Sequence, residues 1–347
     1  MDVSSVDEFT LIDLLNGGQQ TIAFQRAGGV ETGIGDDAAV VRASSDSRWI
    51  LTCDTMTEDI HFKRVTMRDS DIGYKAMASA VSDIAAMGGT PRYALVALSM
   101  PKSTPVERVR AMYDGLYECA NRYRVVVAGG DTTSCIGGVT LTVTVIGETE
   151  PDRALLRSAA RLGDVVFITG FTGDSAAGLE WLLGKNKPSE EWDDDPELKQ
   201  YPGLIQAHCR PEPQIQAGEL LRRSGFCHAL NDVSDGIASE AWEIAAASNI
   251  GIDLIEDRIP VSGELLDYAS KQGKDPLDYM LYGGEDYQLI GTAPAEHAVE
   301  LQMKFKEAGL PLYLIGYVHG EHSGVRLVRS DGGAVPLAKR GYNHFTG

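Results

Sequence analysis

The stretch DVVFITGFTGDSAAGLEWLLG, residues 164–184, decides how the rest of the chain is read. DVVFITG has the apolar, β-branched character of a strand, GFTGDSAAG (170–178) is a loop, and a helix opens out of it. Strand, loop and helix in that order mark an α/β domain, and the pattern begins at about residue 151. The loop lacks the GK[ST] ending of a P-loop, so its expected use is capping of the helix by Asp174 or Ser175, with phosphate approach the lesser reading.

Towards the N-terminus the pattern differs. Short β-rich runs, AAVV (38–41), WILTC (49–53), ALVALSM (94–100), RVVVAG (124–129) and VTLTVTVIG (139–147), alternate with two helical stretches. One runs from Asp71 to Met87, with Ser70 as its cap and Gly88, Gly89 and Pro91 as its stop. Lys75, Ser79 and Asp83 recur along one face of it, opposite Met77, Val81 and Ile84, so Asp83 is expected on the polar side. The second helix covers Pro105 to Tyr123. Towards the C-terminus, KNKPSEEWDDDPELKQYP (185–202) reads as a solvated excursion, NDVSDGIASEAWEIAAAS as a loop feeding a helix, and GGEDYQLIGTA as a turn feeding a strand. The length suits two domains, residues 1–150 and 151–347, in an α/β (α+β) chain.

Fifty acids against 31 bases give a formal charge of −19, a field that repels nucleic acid and other polyanions. A phosphate-rich ligand on such a chain requires neutralised carboxylates, and hard divalent cations on clustered aspartates do that. Cys53, Cys119, Cys135, Cys209 and Cys227 are odd in number, scattered and without a CxxC pair, so neither a disulfide framework nor a zinc site is indicated. No stretch is apolar enough to span a bilayer, and MDVSSVDEFTLIDLL lacks the basic start of a signal peptide, so the cytoplasm is the expected location.

Four acidic clusters are expected at turns beside strand ends: GIGDDAAV (33–40), TCDT (52–55), GGDTT (129–133) and NDVSDG (231–236); Asp83 adds a helical member. Each alone is an ordinary turn sequence. Together they suggest carboxylates converging on one crevice, where their repulsion is relieved by a cation. Oxygen donors only, Asp36, Asp37, Asp54, Asp83, Asp131, Asp232 and Asp235, favour Mg²⁺. Phosphates would be met by the backbone at Gly129 and Gly130 and by a cation such as Arg157.

GIGDDAAV, T-x-D-T with I-H-F, KAMASAVSDIAAMGG, AGGDTT, LLRSAARLGDVVFITGFTGDSAAGL, DVSDG, GGEDY and GYNHF, in this order and spacing, resemble the thiamine-monophosphate kinase family over roughly residues 5 to 346. That family shares a superfamily with aminoimidazole ribonucleotide synthetase, selenophosphate synthetase and the hydrogenase maturation dehydratase. The resemblance implies an N-terminal mixed sheet that carries ATP and Mg²⁺ and joins a second copy, beside a C-terminal α/β domain. It implies metal ligation by Asp37, Asp54, Asp83, Asp131, Asp232 and Asp235, and ATP contacts by Tyr113, Gly130, Asp131, Arg157 and Ser234. It further implies that His61, Glu285 and Tyr342 line the thiamine phosphate site. Two departures stand out. Thr52 and Cys53 replace the family's usual Ser-Thr, and a thiol is a poor Mg²⁺ ligand, so Cys53 is expected to serve through its carbonyl. Met-Thr-Glu-Asp-Ile (56–60) also departs from the family before His61.

The activity implied is ATP-dependent phosphorylation of thiamine monophosphate to thiamine diphosphate, the last step of thiamine diphosphate biosynthesis, by direct in-line transfer in a homodimer. Two rivals stay open: another ATP-dependent enzyme of the superfamily, such as aminoimidazole ribonucleotide synthetase, and a non-catalytic Mg²⁺–nucleotide sensor. GGEDY and GYNHF discriminate against the first; turnover discriminates against the second.

Overall fold

The computed structural model describes residue 14 and residues 19–32, 40–41, 46–320 and 322–339. The chain forms two compact units, one of Met1–Ile84, Thr90–Pro151 and Lys185–Asp195, the other of Ala85–Gly89, Asp152–Gly184 and Pro196–Gly347.

The first unit contains α1 (Ile22–Ala27), β1 (Val30–Thr32), β2 (Val40–Val41), β3 (Arg48–Thr57), α2 (Asp69–Ala86), β4 (Thr90–Met100), α3 (Val106–Arg122), β5 (Val126–Ser134) and β6 (Thr140–Thr149). Strands β3-β6-β4-β5 make one sheet, antiparallel except for the β4–β5 pair. In TLTVTVIGET every second residue of β6 is buried, the period-2 pattern of a strand with one covered face. β6 pairs on both sides, and β3 and β5 are the edges among the described strands. TCDT and GGDTT also lie inside strands, in β3 and β5, and not at turns; ladder partners on β6 and β4 continue the extended chain through them.

Helix α2 begins at Asp69, which puts Ser70 inside its first turn and not at its cap. The face bearing Lys75, Ser79 and Asp83 is not solvated either, since Lys75 and Ser79 are buried. It turns towards the sheet instead, where the Thr52 hydroxyl of β3 meets Asp83. A Cβ on Gly73 would stand 1.6 Å from the Met112 carbonyl oxygen, and one on Gly115 1.7 Å from that of Ser70, so α2 and α3 touch backbone to backbone.

Residues 185–202 are mostly exposed, as expected of a surface excursion, but a few buried side chains anchor them. Ser189–Asp194 form a 3₁₀ turn with Trp192 6% exposed. Arg64 meets Glu190 at 2.5 Å, and Arg68 meets Asp193 at 2.6 Å while standing over the Trp192 ring. One tryptophan among nine acids and lysines supplies the anchor that charge counting hides.

The second unit contains β7 (Asp164–Ile168), α4 (Asp174–Lys185), α5 (Pro202–Cys209), α6 (Ile215–Ser224), β8 (Ala229–Asp232), α7 (Ile237–Ser248), β9 (Gly251–Ile255), α8 (Gly263–Gln272), α9 (Pro276–Tyr282), β10 (Leu289–Pro294), α10 (Ala298–Glu307), β11 (Tyr313–His319), β12 (Gly324–Val328) and β13 (Ala334–Pro336). Its sheet has the order β13-β12-β9-β11-β7-β10-β8, with only β12 and β9 parallel. Val166 and Ile168 point into one apolar core and Val165 and Phe167 into another, so β7 is buried on both faces and reads as a continuous apolar run. No helix among the described residues is long and apolar enough to cross a membrane.

Candidate functional site

In the first unit, register sorts the expected ligands. Thr52, Asp54 and Met56 alternate with Cys53 and Thr55 along β3. The Thr52 hydroxyl donates to Oδ2 of Asp83 on α2, so Thr52, Asp54 and Asp83 share the helix-covered side. Cys53 pairs with Thr144 and Thr55 with Thr142, and the Thr144 hydroxyl reaches Cys53 Sγ at 3.4 Å on the opposite, open face. The thiol thus points away from the Thr52–Asp83 contact.

Asp131 pairs in register with Ala97, which pairs with Thr142; this places Asp131 on the same open face as Cys53. Gly130, one residue earlier, accepts no side chain, because a Cβ there would lie 1.8 Å from the Val96 carbonyl oxygen. Tyr113 on α3 is buried, and burial pushes its hydroxyl up to about 12. Asp37 and Tyr342 lie outside the described residues.

His61 follows a tight turn built by the divergent segment. Asp59 takes φ of 67°, its N–H donates to Phe62 O at 2.8 Å, and the Thr57 N–H donates to His61 Nδ1 at 3.0 Å. Glu58 in this turn accepts from Arg108 at 2.6 Å and from the Val139 N–H at 2.8 Å, while Arg108 also donates to Asp69 at 2.8 Å. Arg108 is only 12% exposed, so one guanidinium fastens the His61 turn to the start of α2. Burial works to raise both carboxyls; the bonds to Glu58 outweigh it and lower that group, whereas Asp69 stays raised.

In the second unit, four separate sequence motifs meet through hydrogen bonds. Arg157 donates from Nε to Asn231 Oδ1 at 2.9 Å, and the Asn231 amide donates to Glu240 Oε2. The other oxygen of Glu240 accepts from the Asp235 N–H at 3.1 Å and from the Ser234 hydroxyl at 3.4 Å. Glu240 is buried; burial, with Asp232 and Asp235 nearby, pushes it up to about 8. Asp232 ends β8 and is itself buried. The GGEDY turn docks on this loop, with Glu285 N–H on Ser234 O at 2.7 Å and Tyr287 N–H on Val233 O at 2.8 Å. Glu285 and Tyr287 both adopt positive φ, 65° and 52°, a strain held by these bonds.

Asp286 joins the fourth motif. It accepts from Gly173 N–H at 2.7 Å and Ser175 N–H at 3.1 Å, capping α4 from a distant part of the chain. The expected cap by Asp174 or Ser175 is therefore corrected: Asp174 accepts from the Ser262 hydroxyl instead. Burial pushes Asp286 up to about 8. Glu285 stands 3.7 Å from His208 Nδ1, which also faces the Ser175 hydroxyl at 3.4 Å. Sequence reasoning missed Asn231, Glu240 and Asp286. An acid in the first turn of the helix after NDVSDG was the available signal for Glu240.

Residues 35–149 match the family described as AIR synthase related protein, N-terminal domain, and residues 161–328 match its C-terminal domain. The thiamine-monophosphate kinase of Bacillus subtilis (strain 168) is 40% identical over 343 residues, 98% of this chain and 100% of that protein. The chain belongs to the thiamine-monophosphate kinase family. A family member from Stenotrophomonas maltophilia K279a superposes with a TM-score of 0.80 at 33% identity, covering 95% of this chain and 98% of that one. AaThiL, crystallised in complex with AMPPCP and TMP, superposes with a TM-score of 0.75 at 34% identity over 99% of each chain. Family membership thus extends over both units, and so over both constellations described above.

Proposed function

We infer that this chain transfers the γ-phosphoryl group of ATP to thiamine monophosphate, giving thiamine diphosphate and ADP. The observation that carries the reading is full-length similarity to kinases of that name, one of them a complex with an ATP analogue and TMP.

The donors around Thr52 are hydroxyl and carboxylate oxygens, and the Cys53 thiol faces away, which fits a hard ion such as Mg²⁺. Asp54 and Asp83, with the Thr52 hydroxyl and the Cys53 carbonyl, would hold Mg²⁺ on the covered side of the first sheet and Asp131 would hold it on the open side, with Asp37 a further ligand; Asp232 and Asp235 would do so in the second unit. Bound there, it supplies neutralisation of polyphosphate charge. Gly130, Arg157 and Ser234, with Tyr113, contact ATP in this reading, while His61, Glu285 and Tyr342 contact thiamine monophosphate. Asn231 aims the Arg157 guanidinium, and Glu240 holds the Ser234–Asp235 loop, so that positioning is fixed before substrate arrives.

An oxygen of the acceptor phosphate forms the new bond to the γ-phosphorus as the bond to the β,γ-bridging oxygen breaks, and ADP leaves with that electron pair. The acceptor, a monoester with a second pKa of about 6, needs no strong general base. A second copy of the chain is proposed to cover the open face of the first sheet, where Leu51 is 70% exposed on the edge strand β3. Residence in the cytoplasm accords with a substrate and co-substrate found there.

Coupled ADP release with and without thiamine monophosphate tests the reading. Release that depends on both ATP and the acceptor is expected; ATP turnover indifferent to thiamine monophosphate would point to another superfamily activity, and no turnover to a sensor.

A further inference from the structure

We propose that Asp253, His319 and His322 form a binding site for a borderline divalent transition-metal ion of the Zn²⁺ class, distinct from the residues assigned above to ATP, Mg²⁺ and thiamine monophosphate. Three neighbouring elements supply it. Asp253 lies on β9, His319 ends β11, and His322 lies on the connection to β12. In the sheet, β11, β7 and β10 separate β9 from β8, which ends in Asp232.

The spacing of donor atoms is that of a coordination sphere. Nε2 of His319 and Nε2 of His322 each stand 3.2 Å from Asp253 Oδ1, and all three donors lie within 4.8 Å of one another. Metal bonds of about 2.0–2.1 Å in a tetrahedron place neighbouring donors roughly 3.3–3.4 Å apart. The two rings approach to 4.1 Å between centroids at 70°. Gly251 makes that approach possible: a Cβ there would stand 2.8 Å from His319 Cε1 and 2.3 Å from the His322 carbonyl oxygen.

Proton bookkeeping points the same way. His322 Nδ1 lies 3.1 Å from the Ser323 carbonyl oxygen, which can only accept, so Nδ1 carries the hydrogen and Nε2 turns its lone pair to the carboxylate. Lone pair facing carboxylate is repulsive unless something positive stands between them. A proton on His322 Nε2 as well as on its Nδ1 would set an imidazolium beside the Arg326 guanidinium on one carboxylate. A single divalent ion answers both ring nitrogens at once. Arg326 already holds the carboxylate by two bonds, 2.8 Å to Oδ1 and 2.7 Å to Oδ2, the outer-sphere support that fixes a ligating carboxylate. Two imidazoles and one carboxylate favour Zn²⁺, Co²⁺ or Ni²⁺ over Mg²⁺. The side chains are 18–21% exposed, which leaves a position for water. The ion would clip the ends of β9, β11 and β12 together.

Equilibrium dialysis against ZnCl₂ in excess MgCl₂, which occupies the oxygen-rich sites, tests this. One equivalent of Zn²⁺ per chain is expected on the wild type and none on the His319→Gln/His322→Gln double variant, with Mg²⁺-dependent ATP turnover equal in both. Co²⁺ should give the strong visible absorption of a tetrahedral ion without a thiolate charge-transfer band. Should the double variant fold poorly, His322→Gln alone is expected to weaken Zn²⁺ binding by at least about tenfold. Equal Zn²⁺ binding by wild type and variants, a thiolate band, or an octahedral Co²⁺ spectrum would overturn the proposal.

Discussion

In the first unit strand and helix register puts Asp54 and Asp83 on the helix-covered side of a sheet and Asp131 on its open side. In the second unit Arg157, Ser234, Asp235 and Glu285 are tied together by Asn231, Glu240 and the 284–287 turn. The difference is one of support. Sheet register sets which face a side chain takes, whereas a buried hydrogen-bond network spanning several motifs also fixes its orientation. Substitutions in the first unit should therefore strike charge and association, and substitutions in the second should strike positioning.

Asp83→Asn should have the largest effect. It keeps shape and an acceptor for Thr52 but removes a charge, so turnover should fall by about 10²–10³-fold. Stability without ligand should hold or rise, because like charges repel less. Steady-state kinetics beside thermal melts in MgCl₂, with KCl at matched ionic strength, separate the two effects. Loss of stability with normal Mg²⁺-dependent activity would make Asp83 a structural acceptor.

Leu51→Asp comes next, on the open face of the same sheet. A desolvated charge there should shift the dimer to monomer in light scattering at micromolar concentration, roughly a hundredfold loss of association or more. A wild-type chain that is already monomeric would remove the proposed partner.

Glu240→Gln tests the second unit. The new amide donor would face the Asn231 donor or the Asp235 N–H, and one misplaced bond costs about 1–3 kcal/mol. The KM for ATP should rise about tenfold while the KM for thiamine monophosphate changes little. An equal rise in both would mean the unit is loosened as a whole.

The smallest effect concerns pH. Asp286 titrates near 4 when unfolded and at about 8 when folded, because burial favours its neutral form. The folded state then holds a proton that the unfolded chain releases, so this stabilisation is full below about pH 4 and is lost as pH rises to 8. Asp286→Asn should flatten the fall of melting temperature between pH 5 and 8. The slope should not vanish, since Glu240, also raised to about 8, acts in the same direction. An unaltered slope would show that Asp286 is ionised in the fold.

Much of this was legible in the sequence where spacing encodes geometry. The run 164–184 does form β7, a loop and α4, and the periodic stretch around Asp83 does form a helix, Asp69–Ala86. What spacing could not carry was the environment. Lys75 reads as solvated because lysine usually is, yet its face of α2 turns to the sheet, where Thr52 meets Asp83, and Lys75 is buried. TCDT and GGDTT read as turns because Asp and Gly favour turns, but their ladder partners lie 87–93 residues away on β6 and 34 away on β4. The same distance hid Asp286 as the cap of α4, 111 residues from Ser175.

The central claim is transfer from ATP directly to thiamine monophosphate, and γ-labelled ATP tests it most directly. With enzyme, MgCl₂ and thiamine monophosphate, the label should appear in the terminal phosphoryl group of thiamine diphosphate; without acceptor, the denatured protein should carry none. Stoichiometric label on the protein, or label released as inorganic phosphate with thiamine monophosphate unchanged, would contradict the account.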